Sequence, residues 1–197
     1  MRGIALGAAS FFVVFWVDVT AVQRIRFLKP LLWIVGIMLF IAGAVTCMRD
    51  PARLALPVPV RVAGGLLAAL SSALLVYSLF IEIPFVSAYV GPGGPDSLVA
   101  TGTYALCRHP GVLWLSGLLV GLFFLRGCTL LLLAIPVWVG LDVAYVLAQD
   151  RVFFPRMFGR QYQSYRASVP LLIPTGKSLR ACASTIFRRP AGPAGKK

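Results

Sequence analysis

Apolar residues run almost without interruption through five stretches of the chain, 4–22, 31–48, 62–85, 111–125 and 128–148, and polar residues gather between them. When every face of an element is apolar its period says little, and length decides the assignment. A hydrocarbon core about 30 Å thick takes roughly 20 mostly apolar residues per helix. Backbone polar groups in lipid must find partners within their own segment, which favours helices. The pattern therefore predicts an all-α, polytopic membrane protein with about five transmembrane helices, organised as a single membrane domain over 1–197. The fourth stretch is short and at ~1.5 Å per residue reaches only about 22 Å. With Arg126 and Gly127 as a tight turn, the last two stretches are expected to form a short helical hairpin that stops before a full crossing. Pro136 is expected to kink its second arm.

Composition agrees with this assignment. Hydrophobic residues make up 59% of the chain and charged residues 13%, with a mean hydropathy of +0.86. These values lie outside the soluble globular range and leave no room for a second, soluble domain. Arg2 ahead of 4–22 has the layout of a signal peptide, but no small-x-small cleavage pattern follows and Asp18 interrupts the run. The segment is expected to be retained as a span. Cys47, Cys107, Cys128 and Cys182 are scattered singly, without metal-ligand or redox spacing. One histidine and six widely separated acids do not compose a zinc site, so no metal is expected.

Nineteen basic residues against six acids give a net charge of +13. In a membrane protein such an excess collects on the cytoplasmic side and meets anionic headgroups, so membrane lipids rather than nucleic acid are the expected partners. With the C-terminus in the cytoplasm, Arg24, Arg26, Lys29, Arg108 and the ten basic residues from Arg151 to Lys197 fall inside. Arg2, Arg49, Arg53, Arg61 and Arg126 fall outside. This topology brings Asp18, Glu82 and Asp142, the acids within apolar spans, to the cytoplasmic part of their helices. Ionisable groups at such depth are functional candidates by default, set against the alternatives of helix capping or pairing with an interfacial arginine.

Two polar stretches lie at that same level. In "CRHPGV", Pro110 suits the first turn of a helix, with His109 at the N-cap and Arg108 just outside. The structural alternative is a snorkelling arginine and a capping imidazole. The functional alternative is a guanidinium fork for a carboxylate or phosphate, beside an imidazole that serves as donor or base. In "AQDRVFFPRMFGRQYQSYRASVPLLIP", Phe154, Phe158, Tyr162, Tyr165 and Val169 recur at spacings of four, four, three and four. They share one helical face, with Arg156, Arg160 and Arg166 elsewhere, as expected of an interfacial amphipathic helix over the segment 149–174. Pro155 and Gly159 argue against one continuous rod. The remainder, 175–197, reads as a basic tail rich in Pro and Gly near its end.

Taken together, "TGTYALCRHPGV", a short hairpin and "QDRVFFPRMFGRQYQSYRASVPLLIP" resemble the C-terminal half of the isoprenylcysteine carboxyl methyltransferase and phospholipid methyltransferase superfamily. That pattern runs Gly-x-Tyr, Arg-His-Pro, hairpin, acidic pair, Phe-Gly, two tyrosines spaced by three and a Pro-containing end. The likeness covers 101–174. It implies a membrane-embedded methyltransferase that uses S-adenosylmethionine without a strand-turn-helix Gly-rich fingerprint, and this chain has none. It also implies that Tyr104, Arg108, His109, Pro110, Asp150, Tyr162 and Tyr165 line the cofactor site. In the roles so implied, Arg108 orients an anionic group, His109 fixes the cofactor or moves a proton, and Asp150 meets the cofactor's cationic end. The acceptor would be apolar or lipid-like, and prenylated cysteine, a phospholipid amine and a small thiol fit alike. Two positions depart from the pattern. Val112 stands where Tyr is frequent, and "QDR" offers one acid, Asp150, where two glutamates are common. Asp142, two turns earlier, is a candidate to compensate. Membrane sterol and steroid reductases share a comparable Arg-His-Pro ending and bind NADPH, but usually continue Asn-Tyr where this chain reads Gly111-Val112. A non-catalytic relative of the scaffold is the other alternative.

Overall fold

The computed structural model describes residues 1–23, 25, 28–83 and 98–186. Arg24, Arg26, the end of the third expected span at 84–85 and the last part of the basic tail, 187–197, lie outside the described residues. The described chain is helical: α1 (Arg2–Val22), α2 (Leu28–Met48), α3 (Val58–Val76), α4 (Thr103–Leu106), α5 (Pro110–Arg126), α6 (Thr129–Ala148), α7 (Phe154–Phe158), α8 (Arg160–Ser168) and α9 (Gly176–Thr185). Four of the helical stretches are long and apolar enough to cross a membrane: Arg2–Val22, Leu28–Met48, Val58–Glu82 and Thr129–Phe158. Pro110–Arg126 is apolar but shorter, as its sequence predicts.

Lipid is the outer solvent of such a bundle, so greasy side chains face outward and small ones face the neighbouring helix. Leu31, Ile34, Met38 and Ile41 form an exposed apolar stripe on α2. On the inner side, α1 and α2 run antiparallel along a seam of small residues. A Cβ on Gly43 would stand 2.6 Å from the Gly7 backbone nitrogen, and one on Gly3 would stand 2.7 Å from Cys47 Sγ. The α3/α5 pair repeats the device. A Cβ on Gly121 would meet the Ala68 nitrogen at 2.5 Å and the Gly64 oxygen at 2.8 Å. The third element of the bundle, α6, packs on α1, α2 and α5. Its Trp138, fully buried, donates its indole N–H to the Ile4 carbonyl at 3.0 Å.

At one end of the bundle the loop before α3 is tied to the α5/α6 turn. The Leu54 N–H donates to the Gly127 carbonyl at 2.8 Å and the Thr129 N–H to the Ala52 carbonyl at 3.0 Å. At the other end two helices unwind into wider π-helical turns, Tyr77–Glu82 after α3 and Gln149–Phe153 after α6. Each of these turns carries a carboxylate, Glu82 or Asp150, and π turns within helices recur at functional positions.

Three expectations need correction. The last span does not end at 148, because the helix continues through the π turn to Phe158 and Pro136 is accommodated inside it. The single interfacial amphipathic helix over 149–174 gives way to separate elements, broken where Pro155 and Gly159 predict: Pro155 lies in the first turn of α7, and Gly159, at φ 55° and ψ −127°, breaks the chain before α8. That backbone region is essentially restricted to glycine. Finally, 175–186 is not tail. Thr175 and Ser178 form a reciprocal capping box that opens α9, which packs on α4.

The seams give a test. Gly121→Leu forces a side chain into backbone atoms of α3 and is expected to destabilise by about 1–3 kcal/mol, whereas Gly140→Leu, with no atom within 4 Å of its would-be Cβ, should be neutral. Thermal unfolding of both variants in detergent checks the contrast.

Candidate functional site

The polar end of the bundle is built around Asp150, a residue only 3% exposed. A carboxylate so far from water must be neutralised or hydrogen-bonded. Its Oδ1 faces Arg108 Nη1 at 2.6 Å, accepts a short hydrogen bond from the Tyr162 hydroxyl and has His109 Nε2 at 4.0 Å. Its Oδ2 is approached by Arg166 Nε, from a half-exposed side chain, at 3.6 Å. Arg108 is therefore buried and paired rather than snorkelling. His109 does occupy the N-cap of α5, but its side chain makes no capping bond. The ring instead stacks on Phe154, with centroids 5.6 Å apart and planes 12° apart.

The backbone holds the two motif segments together. The Arg108 N–H donates to the Pro170 carbonyl at 2.9 Å, and the His109 N–H to the Leu171 carbonyl at 3.3 Å. Pro110 is fully buried beside them at the start of α5. The Tyr165 hydroxyl donates to the Tyr104 carbonyl at 2.6 Å. Phe154 and Tyr162 meet edge to face at 5.4 Å. Tyr162 and Tyr165, 1% and 6% exposed, thus point into the protein, not along a membrane surface.

Glu82, on the π turn that follows α3, holds the start of α4 next to this site. Its carboxylate accepts the Thr103 N–H at 2.9 and 3.2 Å and a short bond from the Thr103 hydroxyl. It thereby caps the single turn α4. Gly102, at φ 61°, allows the close approach, since a Cβ there would collide with Glu82 Oε1. Glu82 is accordingly a helix cap. Among the described residues Asp18 neither caps a helix nor pairs with an arginine. It accepts from the Tyr145 hydroxyl at 2.7 Å and from Gln149 Nε2 at 2.8 Å, and Lys29 acts on it electrostatically. Lys29, expected in the connecting loop, is in the first turn of α2 and only 3% exposed. Among the described residues Asp142 makes no hydrogen bond or ion pair, so nothing brings it to Asp150. Adjacent Gln149 and Asp150 divide their tasks, one reaching α1 and the other reaching Arg108. The carboxylate that Gln149 meets comes from α1 and is Asp18.

Burial lowers the His109 pKa from 6.5 to about 4, with Asp150 opposing the shift and Arg108 adding to it. The imidazole is neutral at pH 7 and able to accept a proton. Burial first, and then the Asp150 charge, raises the Tyr162 phenol. Burial likewise raises Tyr165, so both hydroxyls remain donors. Burial also pushes the Cys107 thiol up to about 11, which keeps it protonated. Among the described residues, Arg108 Nε, His109 Nε2 and Trp114 Nε1 are buried with no hydrogen-bond partner. Buried polar atoms without partners are rare and mark places a ligand can complete. No family model, curated protein or solved structure matches this chain.

Two outcomes follow from this geometry. Arg108→Ala leaves Asp150 as a buried charge without its close partner and is expected to destabilise by roughly 3–5 kcal/mol. The double variant Arg108→Ala/Asp150→Asn should recover much of that loss when thermal midpoints are compared. His109 binds fewer protons folded than unfolded between pH 6.5 and about 4. Its contribution is therefore present above pH 6.5 and is lost as the pH falls through that window, by about 3 kcal/mol at full extent. Unfolding of His109→Gln followed from pH 7 to pH 4 should show a shallower decline than the parent.

Proposed function

We propose that the chain is a membrane-embedded S-adenosylmethionine-dependent methyltransferase acting on an apolar or lipid-like acceptor. The observation that carries this reading is the convergence on one buried carboxylate of residues from two distant segments of the chain, Arg108 and His109 with Tyr162 and Arg166. These include the positions that the superfamily resemblance marks as cofactor-lining.

The residues present suit such a cofactor. Arg108, whose Nε is unpartnered, would hold a carboxylate. Asp150 Oδ2, paired among the described residues with the half-exposed Arg166 at 3.6 Å, would face an ammonium. The faces of Phe154 and Tyr162 would stabilise a sulfonium through their quadrupoles. When bound, S-adenosylmethionine supplies a methyl group on a sulfur that leaves as a neutral thioether. The protein's own part is positional: Arg108 and Asp150 orient, and the aromatic wall of His109, Phe154 and Tyr162 keeps water from the reacting atoms. Burial holds His109 neutral and makes it a weak base, so its part would be to fix the cofactor, and a carboxylate acceptor, which requires no proton removal, suits the site best.

Calorimetry in detergent should show S-adenosylmethionine binding by the parent protein, weakened about tenfold or more in Arg108→Ala and Asp150→Asn, the usual effect of losing a charge-assisted hydrogen bond. Labelled methyl groups should pass to a component of a membrane lipid extract. Absence of binding, or NADPH bound in its place, would overturn the reading.

A further inference from the structure

The end of the bundle opposite Asp150 is cationic. It gathers Arg2, Arg49, Arg53, Arg61 and Arg126 around the N-terminus of α1, the loop before α3 and the C-terminal ends of α2 and α5, with Asp50 the acid in that loop. Five arginines there run against the charge bias expected of the topology above. Two of them are accounted for by helix ends. Arg53 Nη2 donates to the Met48 carbonyl at 3.2 Å, and Arg61 Nε to the Leu125 carbonyl at 3.4 Å. These bonds satisfy terminal carbonyls of α2 and α5 that lack intrahelical partners. Arg49 and Arg126 are exposed and make no side-chain hydrogen bond or ion pair among the described residues. Both line a cleft of about 350 Å³ whose other walls are Val45, Met48, Leu122 and Leu125.

The cleft opens between the last turns of α2 and α5, which both pack on α6. It has four apolar walls and two guanidinium groups at one level, with no acid in its lining. An apolar floor rimmed by unpaired cations matches a molecule with a hydrocarbon chain and an anionic head. The volume falls at the lower end of ligand clefts, roughly 300–1,000 Å³. We infer that this cleft is a binding site for one anionic phospholipid, its phosphate held by Arg49 and Arg126 and an acyl chain laid against Val45, Met48, Leu122 and Leu125. The site lies at the other end of the bundle from Asp150 and stands whether or not the chain transfers methyl groups.

Native mass spectrometry of the full chain in detergent, titrated with phosphatidylglycerol, tests the assignment. Arg49→Gln/Arg126→Gln should weaken binding roughly 30-fold, about fivefold per basic residue at a membrane surface. Leu122→Trp, which fills the cleft and keeps both charges, should also lose the lipid. Arg2→Gln, which removes a charge from the same end but outside the cleft, should retain it. Phosphatidylcholine should bind much more weakly than phosphatidylglycerol, and inorganic phosphate should not displace the lipid. If the double variant is not monodisperse, Arg126→Gln alone should show the fivefold loss. Undiminished binding in the arginine variants, equal loss in Arg2→Gln, equal binding of phosphatidylcholine, or displacement by inorganic phosphate would each overturn the assignment.

Discussion

A carboxylate nearly out of reach of water governs the polar end of this protein. Asp150 sits on a helix that has already traversed an apolar run, and its charge is tolerable only if partners come to it. The partners arrive from both flanks in sequence. Arg108 precedes the α5/α6 hairpin, and Tyr162 and Arg166 follow it. Their convergence obliges the chain to fold back twice, first between α5 and α6 and then at Gly159. The backbone bonds from Arg108 and His109 to Pro170 and Leu171 close the arrangement. Interdependence of these parts follows from the charge itself, because none of the three donors would be drawn to this position by an apolar residue.

The rest of the bundle obeys a different constraint. With lipid outside, apolar burial provides little drive for helix association, and close backbone approach takes its place. The α1/α2 and α3/α5 seams use Gly3, Gly7 and Gly43, and Gly64 and Gly121, to bring backbones into contact. The π turns work against regularity at one level only. A wider turn shifts the direction of the residues that follow it, which lets Gln149 reach Asp18 on α1 while its neighbour Asp150 reaches Arg108.

The helices were legible in the sequence because hydrocarbon thickness sets their length directly, and the starts and ends of α1, α2 and α5 fall close to their apolar runs. The extension of α6 to Phe158 was not legible. Asp150 and Arg151 look like the end of a span, and no residue type announces a π turn. Lys29 read as a loop charge because nothing in its neighbourhood reveals that Asp18, eleven residues earlier, will sit beside it. The α9 helix was hidden in a basic composition. Its signal was Thr175 followed at three positions by Ser178, a capping box with serine in place of the usual glutamate or glutamine. The members of the candidate site were legible as a set, Tyr104, Arg108, His109, Pro110, Asp150, Tyr162 and Tyr165. Their pairing was not. The sequence offered Asp150 as an open carboxylate, whereas it is already engaged by Arg108 and Tyr162 at one oxygen.

The four acids at this end are therefore not equivalent, and beyond Asp142, which makes no hydrogen bond or ion pair among the described residues, the difference bears on where a ligand belongs. Glu82 accepts from the backbone and hydroxyl donors of Thr103, and among the described residues these bonds serve to fix the start of α4. Asp18 accepts from two neutral donors, and among the described residues Lys29 is the cation that acts on it. Asp150 faces two arginines with a neutral imidazole beside them, so its surroundings carry an excess positive charge next to buried nitrogens that lack partners. In a water-poor setting the Arg108 guanidinium draws an anionic group of a ligand more strongly than the surroundings of Glu82 or Asp18 do. Of the carboxylates that enter the bundle, Asp18, Glu82, Asp142 and Asp150, the last is the one flanked by arginines, where a molecule that brings its own carboxylate meets a guanidinium.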